Sequence, residues 1–411
     1  MIVKQLSPES RLVECKDLSA LKDKGYTLTP FDSKTIDFLD QLSRRILKDS
    51  NSANRPELLA LGFWLRKSQL NRIAKEQQTS NQSQDLILSP VGVVFHICPT
   101  NVDTMFMYSM VISLLVGNKN ILRISSRSEN SAVLVLLRHI NELMTKAEFS
   151  RFQEYINVIT YTHDEEISRF LSLNCNARLI WGGDQTIQTF HKFETRPRTK
   201  DIIFADRVSI SILGSSRLIE LNKKDWENFV VKFYRDAYTF DQKGCSSPQI
   251  IYFLGDPLSN KEAMKLLEEK VSDFLESNYE NDTASMATLK LNRMVDDSLA
   301  GILREHHGSN LFKLVIVENE IDTTRLQSCG GGYFYSKEVE DLSQLKNLSI
   351  PKVQTITHFG LNNSQITDLS ELTFGEGIDR IVKLGNALKF DYIWDGYNLV
   401  KELSRTVYIE R

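Results

Sequence analysis

From residue 85 onward the chain alternates short apolar runs with stretches whose apolar residues recur every three or four positions. The runs 86–97, 120–124, 155–161 and 177–181 have the length and composition of buried strands, and 105–116, 131–144, 165–173 and 185–190 carry helical spacing. Strand and helix in this alternation predict a parallel sheet wound by right-handed crossovers. Such a sheet places its binding loops at the carboxyl ends of the strands. Two β-rich stretches, 201–213 and 249–254, flank a helix predicted over 225–238, and a second α/β region follows. There the pattern predicts helices over 261–279 and 285–304, a strand over 311–317, and short strands alternating with a helix over 379–389. The first 85 residues read as helical, with apolar spacing over 34–47 and 56–73 and a polar linker over 75–84.

Composition narrows the class. With 411 residues, 41% hydrophobic, 25% charged, 19 Gly and 9 Pro, the chain fits a folded protein of two or three domains at ~150 residues each. Fifty Lys and Arg against 53 Asp and Glu give a net charge of -3, so no basic field exists to hold nucleic acid. Five cysteines (Cys15, Cys98, Cys175, Cys245, Cys329) are scattered without CxxC pairing, which argues against a disulfide framework or zinc site and points to a reducing cytoplasm. The opening MIVKQLSPES has neither an apolar signal core nor an Arg-rich transit pattern. The longest near-apolar run, 105–117, is too short for a membrane span and reads as a buried helix.

Cys245 lies in FDQKGCSSP (240–248), a polar loop bounded by Gly and Pro between a predicted helix and an apolar strand. Loops in that setting display nucleophiles, and Lys243 with backbone N–H groups could favour the attacking thiolate. The competing reading is a small buried hydrophobe. At the end of the first strand, HICPTNVDT (96–104) carries Asn101, which could donate to a developing oxyanion or, with Asp103, cap the helix that follows; the two roles are compatible. RISSR (123–127) sets donors and cations at a strand end, a phosphate seat, and Gly182-Gly183 forms a turn before a helix that suits a pyrophosphate or serves as structural punctuation. His306 and His307 point apart in extended chain, so they are read as surface residues and no metal is expected. Gly330-Gly331-Gly332 reads as a flexible turn or a close approach to a ligand, and Trp394-Asp395-Gly396 as structural.

The segments 89–128, 178–187 (RLIWGGDQTI), 204–212 (FADRVSISI), 240–249 (FDQKGCSSPQ) and 378–410, in that order, resemble the fatty-acyl reductase (LuxC) family of the aldehyde dehydrogenase superfamily. The resemblance covers 85–411, and DQxxCSSP is its most specific element. It implies an α/β fold of the aldehyde dehydrogenase kind: a helical N-terminal segment (1–84), a Rossmann-type dinucleotide-binding domain (85–240), a catalytic domain carrying Cys245 (241–360), and a C-terminal segment (361–411) packing back on the dinucleotide-binding side. It also implies Cys245 as the acyl acceptor and Asn101 as the oxyanion donor. Arg123, Ser125 and Ser126 fall on the segment that holds the adenosine ribose, and Gly182 and Gly183 on the turn facing the dinucleotide.

The superfamily's water-activating glutamate has no counterpart in 202–207, and the proline common two residues after the asparagine is Asp103 here. Without that base an acyl-cysteine survives until hydride reaches it, so the implied chemistry runs from thioester to aldehyde. Two cations and two hydroxyls in 123–127, with no acid before Glu129, favour NADPH over NADH, Arg127 included. The expected donor is an acyl-CoA or acylated protein, the partner an acyl-protein synthetase or acyltransferase, and the assembly a homo-oligomer. Rival readings are an acyl-phosphate reductase of the glutamyl-phosphate type, a redox-silent cysteine acyltransferase or thioesterase, and a scaffold subunit, the last opposed by Cys245 and Asn101 together.

Overall fold

A computed structural model describes residues 1–80, 85–99, 102, 104–125, 131–162, 164–280, 283–317, 329–348, 350–371, 373–375 and 377–410. Eight strands arise before residue 205: β1 (Ile2–Ser7), β2 (Arg11–Glu14), β3 (Leu86–Pro90), β4 (Val93–Ile97), β5 (Lys119–Arg123), β6 (Ile156–Thr160), β7 (Ala177–Trp181) and β8 (Lys200–Phe204). Seven of them form one sheet in the order β2-β1-β6-β5-β4-β7-β8, parallel from β6 to β8. The order reverses at β4, which has β5 on one side and β7 on the other. Every residue of β4 is buried, Val94 in one apolar layer and Val93, Phe95 and Ile97 in the other, as a strand covered on both faces requires. The apolar run at 105 forms the helix Met105–Leu115, buried from Phe106 to Leu115.

The sequence pattern and the structure part at identifiable places. The run 86–97 is two strands, because Gly92 turns the chain with φ +130 where a Cβ would lie 2.3 Å from Asn176 Oδ1. β3 leaves the large sheet and pairs antiparallel with the strand Ser404–Tyr408. The N-terminal segment is not wholly helical: β1 and β2 extend the sheet edge, β1 antiparallel to β6. The helix predicted over 56–73 is broken into Pro56–Trp64 and Lys67–Ser80, the second beginning where the Lys67 N–H meets Asp40 Oδ1 at 2.9 Å.

A second sheet comprises β9 (Val208–Gly214), β10 (Pro248–Leu254), β11 (Leu303–His307), β12 (Lys313–Val317), β13 (Tyr333–Val339), β14 (Val353–Phe359) and β15 (Arg380–Lys383). Its order is β11-β12-β13-β10-β9-β14-β15, with only β11 antiparallel to its neighbour. Central β10 is buried throughout and apolar layers cover both faces. The helix predicted to reach 304 ends at Leu299; Gly301, at φ +69, turns the chain into β11, where His306 and His307 are exposed on a strand rather than in a loop.

The helix predicted over 379–389 is instead β15 and a loop. Ile381, Leu384 and Leu388 imitate helical spacing, yet Gly385 sits at φ +91 and Arg380 donates to the carbonyls of Asn386, Ala387 and Lys389.

The chain forms two compact units, 1–205 with 390–411, and 206–389. This differs from the expected division in two respects. The break falls after Ala205, since β9 and the helix Lys223–Ala237 belong to the second sheet and its core. Residues 361–389 stay with the second unit, where Asp379 pairs with Arg207 and Asp236 binds the Gly385 and Ala387 N–H groups.

Candidate active site

Cys245 is half-buried at the N-terminal end of β10, on a loop that follows the helix Lys223–Ala237. Its carbonyl accepts a 2.7 Å hydrogen bond from Ser209 Oγ on β9. Its Sγ lies 4.0 Å from Ser246 Oγ, which donates to Gln354 Oε1 at 3.0 Å. Two successive residues before it, Asp241 and Gln242, have left-handed backbone, φ 51 and 63, a strained arrangement for residues with side chains.

Gln242 is fully buried and uses its whole amide: Nε2 donates to the Pro248 and Tyr333 carbonyls, both at 3.0 Å, while Oε1 accepts from Gly332 N at 3.1 Å and Tyr333 N at 3.0 Å. Lys243, expected to assist the thiolate, is half exposed with its Nζ 3.7 Å from Asp241 Oδ2, so part of its charge is already engaged.

The other thiols stand in unsuitable places. Burial pushes Cys98 well above the ordinary thiol range, Cys175 up to about 12 and Cys329 up to about 11, and raises Cys15 as well. A thiol so placed stays protonated and is a poor nucleophile. None of the five cysteines is in a disulfide. Near the segment where a water-activating glutamate would stand, Asp206 is exposed and paired with Lys352 at 3.0 Å, and Arg207 turns to Asp379 and the Val353 and Gly377 carbonyls.

In the first unit the strand register brings Arg123 and Ile180 to either side of Ile97, so the carboxyl ends of β5, β4 and β7 stand together over about 10 Å. The Arg123 guanidinium lies 4.9 Å over the Tyr161 ring, and its buried Nε has no hydrogen-bond partner among the described residues. Ser125 follows, half-buried. Gly182 is packed, since a Cβ there would meet Thr186 Cβ at 3.0 Å, whereas Gly183 faces open space and caps the helix Asp184–His191. Asp184 in the first turn adds negative charge where an anion would sit, so the helix end alone is a poor pyrophosphate seat. An Arg donor with no partner among the described residues and an open glycine, at the reversal of strand order, fit a dinucleotide. Asn101, Ser126 and Arg127 lie outside the described residues.

Sequence reasoning missed Tyr161, Ser209, Gln354 and the support given by Gln242. Gln242 was visible in DQxxCSSP, but nothing local shows that three of its four bonds go to residues 90 and 91 positions away. Gly330-Gly331-Gly332 is no loose turn: all three have positive φ, and Cβ atoms on them would lie 2.6 Å from Asp241 O, 2.7 Å from Met286 Sδ and 2.3 Å from Leu311 O.

The pair of α/β units with a cysteine leading into a central strand is the fold of the aldehyde dehydrogenases. The aldehyde dehydrogenase KauB from Pseudomonas aeruginosa superposes with a TM-score of 0.64 at 12% identity, covering 99% of this chain and 92% of that one. Glyceraldehyde-3-phosphate dehydrogenase GapN from Methanocaldococcus jannaschii, complexed with NADP, gives 0.65 at 13% identity over 96% and 93%. Within that fold the chain belongs to the acyl-CoA reductase (LuxC) family, which residues 64–406 match. Curated relatives include the long-chain acyl-protein thioester reductase of Aliivibrio fischeri, 26% identical over 183 residues, and long-chain acyl-protein thioester reductase 2 of Photobacterium leiognathi, 25% identical over 172 residues. The matched stretches cover 44% and 41% of this chain but only 36% and 33% of those proteins.

Proposed function

We propose that this protein reduces an acyl thioester to an aldehyde through an acyl group carried on Cys245. The observation that carries the reading is the placement of Cys245, half-buried on a braced loop that leads into the central strand β10. The Cys245 thiolate attacks the donor carbonyl, a new C–S bond forms, and the donor thiolate leaves and takes up a proton. Asn101 and the Cys245 N–H stabilise the oxyanion, each donor worth ~3 kcal/mol. A reduced nicotinamide, when bound, supplies the hydride. Cys245 sulfur is then expelled as thiolate, which releases the aldehyde and restores the enzyme.

Arg123, Ser125 and Gly183 would hold the dinucleotide, with Ser126 and Arg127 beside them in sequence. The cationic character of 123–127 supports NADPH over NADH. The names of the curated relatives support a long-chain acyl group carried on a protein, and the family's description supports an acyl-CoA. An acyl-protein synthetase or acyltransferase would be the partner that charges a protein donor. Among the described residues no helix is long and apolar enough to cross a membrane. A reducing cytoplasm suits a protein whose reaction needs a thiolate.

Homo-oligomer formation is supported by the isolated ribbon of β3 and Ser404–Tyr408. It exposes Leu86, Ile87 and Tyr408, and two strands alone are marginal in water.

Intact-protein mass spectrometry after incubation with acyl-CoA donors and no cofactor tests the reading. An acyl adduct at Cys245 that is discharged as aldehyde on adding NADPH supports it; an adduct released only as acid would indicate a thioesterase.

A further inference from the structure

The loop that presents Cys245 is strained and yet fully determined, and its determinants reach beyond the DQKGCSSP string. Gln242 spends all four of its amide hydrogen-bonding positions on backbone: two carbonyls, Pro248 on the strand that follows and Tyr333 on β13, and two N–H groups, Gly332 and Tyr333. The Gly331 N–H adds a 2.9 Å bond to the Asp241 carbonyl. The Gly330–Gly332 backbone can come this close only because it has no Cβ, as the 2.6 Å approach at Gly330 shows.

Tyr333 is itself fixed from the opposite side. Its hydroxyl and that of Tyr335 both donate to Asp297 Oδ2 at 2.8 Å, and Arg293 pairs with Asp297 Oδ1 at 2.9 Å. Beyond Gln242, the Ser209 hydroxyl holds the Cys245 carbonyl. The main chain is thus gripped three residues before the sulfur-bearing residue and at that residue.

We propose that Gln242 is a positioning residue for Cys245, acting through the Gly332–Tyr333 backbone, with Ser209 as the second grip. This rests on Cys245 being the acyl acceptor. A left-handed pair at 241–242 costs backbone energy, and neutral amide chemistry is what holds it: an amide offers two donors and an acceptor with two lone pairs to a site that presents two carbonyls and two N–H groups. A carboxylate there would set negative charge against the Pro248 and Tyr333 carbonyls. A protonated carboxyl would restore one donor and the acceptor.

The test uses the full chain with Gln242→Ala, Gln242→Glu and Ser209→Ala, the last being mild enough to keep the fold if Gln242→Ala does not. Two rates at Cys245 are read per folded molecule: acylation by hexadecanoyl-CoA and alkylation by iodoacetamide, located by peptide mass. Gln242→Ala is expected to slow acylation about 100-fold at saturating donor with little change in the donor concentration at half-rate, the scale of an ångström-level misplacement. Ser209→Ala is expected to slow it about fivefold.

For Gln242→Glu, the rate relative to wild type should rise as pH is lowered from about 8 to about 6, because burial raises the pKa of the new carboxyl into that range. Wild-type rates in the variants, with only earlier melting, overturn the proposal, as does a flat pH ratio for Gln242→Glu. If wild-type Cys245 is alkylated in a Gln242-dependent way but takes no acyl group, the acyl-acceptor reading fails and the grip stands.

Discussion

The Asp236 carboxylate receives the Gly385 N–H at 2.6 Å and, through its other oxygen, the Ala387 N–H at 2.9 Å. Arg380 grips the same loop by its carbonyls, and Leu388 from that loop approaches Gly244, where a Cβ would meet Leu388 Cδ2 at 3.3 Å. The residue before Cys245 therefore leans on a loop fixed by one buried carboxylate.

Burial raises Asp236 to about 6 despite the two N–H donors, which pull the other way. The folded state then binds a proton more tightly than the unfolded chain, so this group's contribution to stability falls as pH rises from about 4 to about 6, opposite in sign to an ion-paired carboxylate. Urea denaturation of wild type and Asp236→Asn across that window should show the wild-type advantage shrinking by up to about 3 kcal/mol as pH rises. A constant difference would place the carboxyl in its ordinary range.

Cys245→Ala should lose both the acyl adduct and aldehyde formation while keeping its circular dichroism and its quenching of dihydronicotinamide fluorescence. An adduct persisting in this variant would reassign the nucleophile, and the buried Cys98 would have to become accessible to serve.

Asn101→Ala should lower turnover by about 10² to 10³ with donor affinity little changed, since an oxyanion donor acts chiefly in the transition state. A drop in melting temperature with normal turnover in the folded fraction would leave Asn101 as a helix cap.

Arg123→Met should weaken NADPH about tenfold or more, and NADH less, as loss of a charge-assisted contact to a phosphate predicts. Arg127→Ala tests the second cation of the same string. Fluorescence titration with both cofactors decides; equal affinity of the wild-type protein for NADPH and NADH would falsify the 2'-phosphate assignment and leave the Cys245 chemistry untouched.

Gly332→Ala should be among the most damaging single changes in the second unit. Its φ is +87, and a Cβ would lie 2.3 Å from Leu311 O and 2.5 Å from the Tyr238 hydroxyl. Strain and overpacking together predict a loss of about 2–4 kcal/mol in urea denaturation. A loss under about 1 kcal/mol would show that the backbone there can move.

Much of this was legible because burial on both faces leaves a coarse mark. The apolar runs of β4, β5, β6 and β7 and the buried helix at 105 stand out in the sequence for that reason. Features set by one residue were not. Pro90 and Gly92 mark the break in 86–97 locally, but that only glycine fits at 92 follows from the Asn176 side chain, which stands where a Cβ would go. The stretch from β15 onward imitates a helix over the few residues available, and its pairing with β14, Gly385 and the Arg380 and Asp236 contacts decide against it. At the candidate site, the loop that carries Cys245 was legible in the sequence, whereas Gln242 draws its meaning from Tyr333, 91 residues on.

The chain leaves its first unit after residue 205 and re-enters it at 390, so the second unit is one continuous stretch and the first is not. During synthesis, residues 206–389 are all made before the strand Ser404–Tyr408 exists to pair with β3, and before Phe390 can pack on Trp64 and Tyr108. The second unit can therefore gather its core from consecutive residues, while the first closes only when the chain has come back to it.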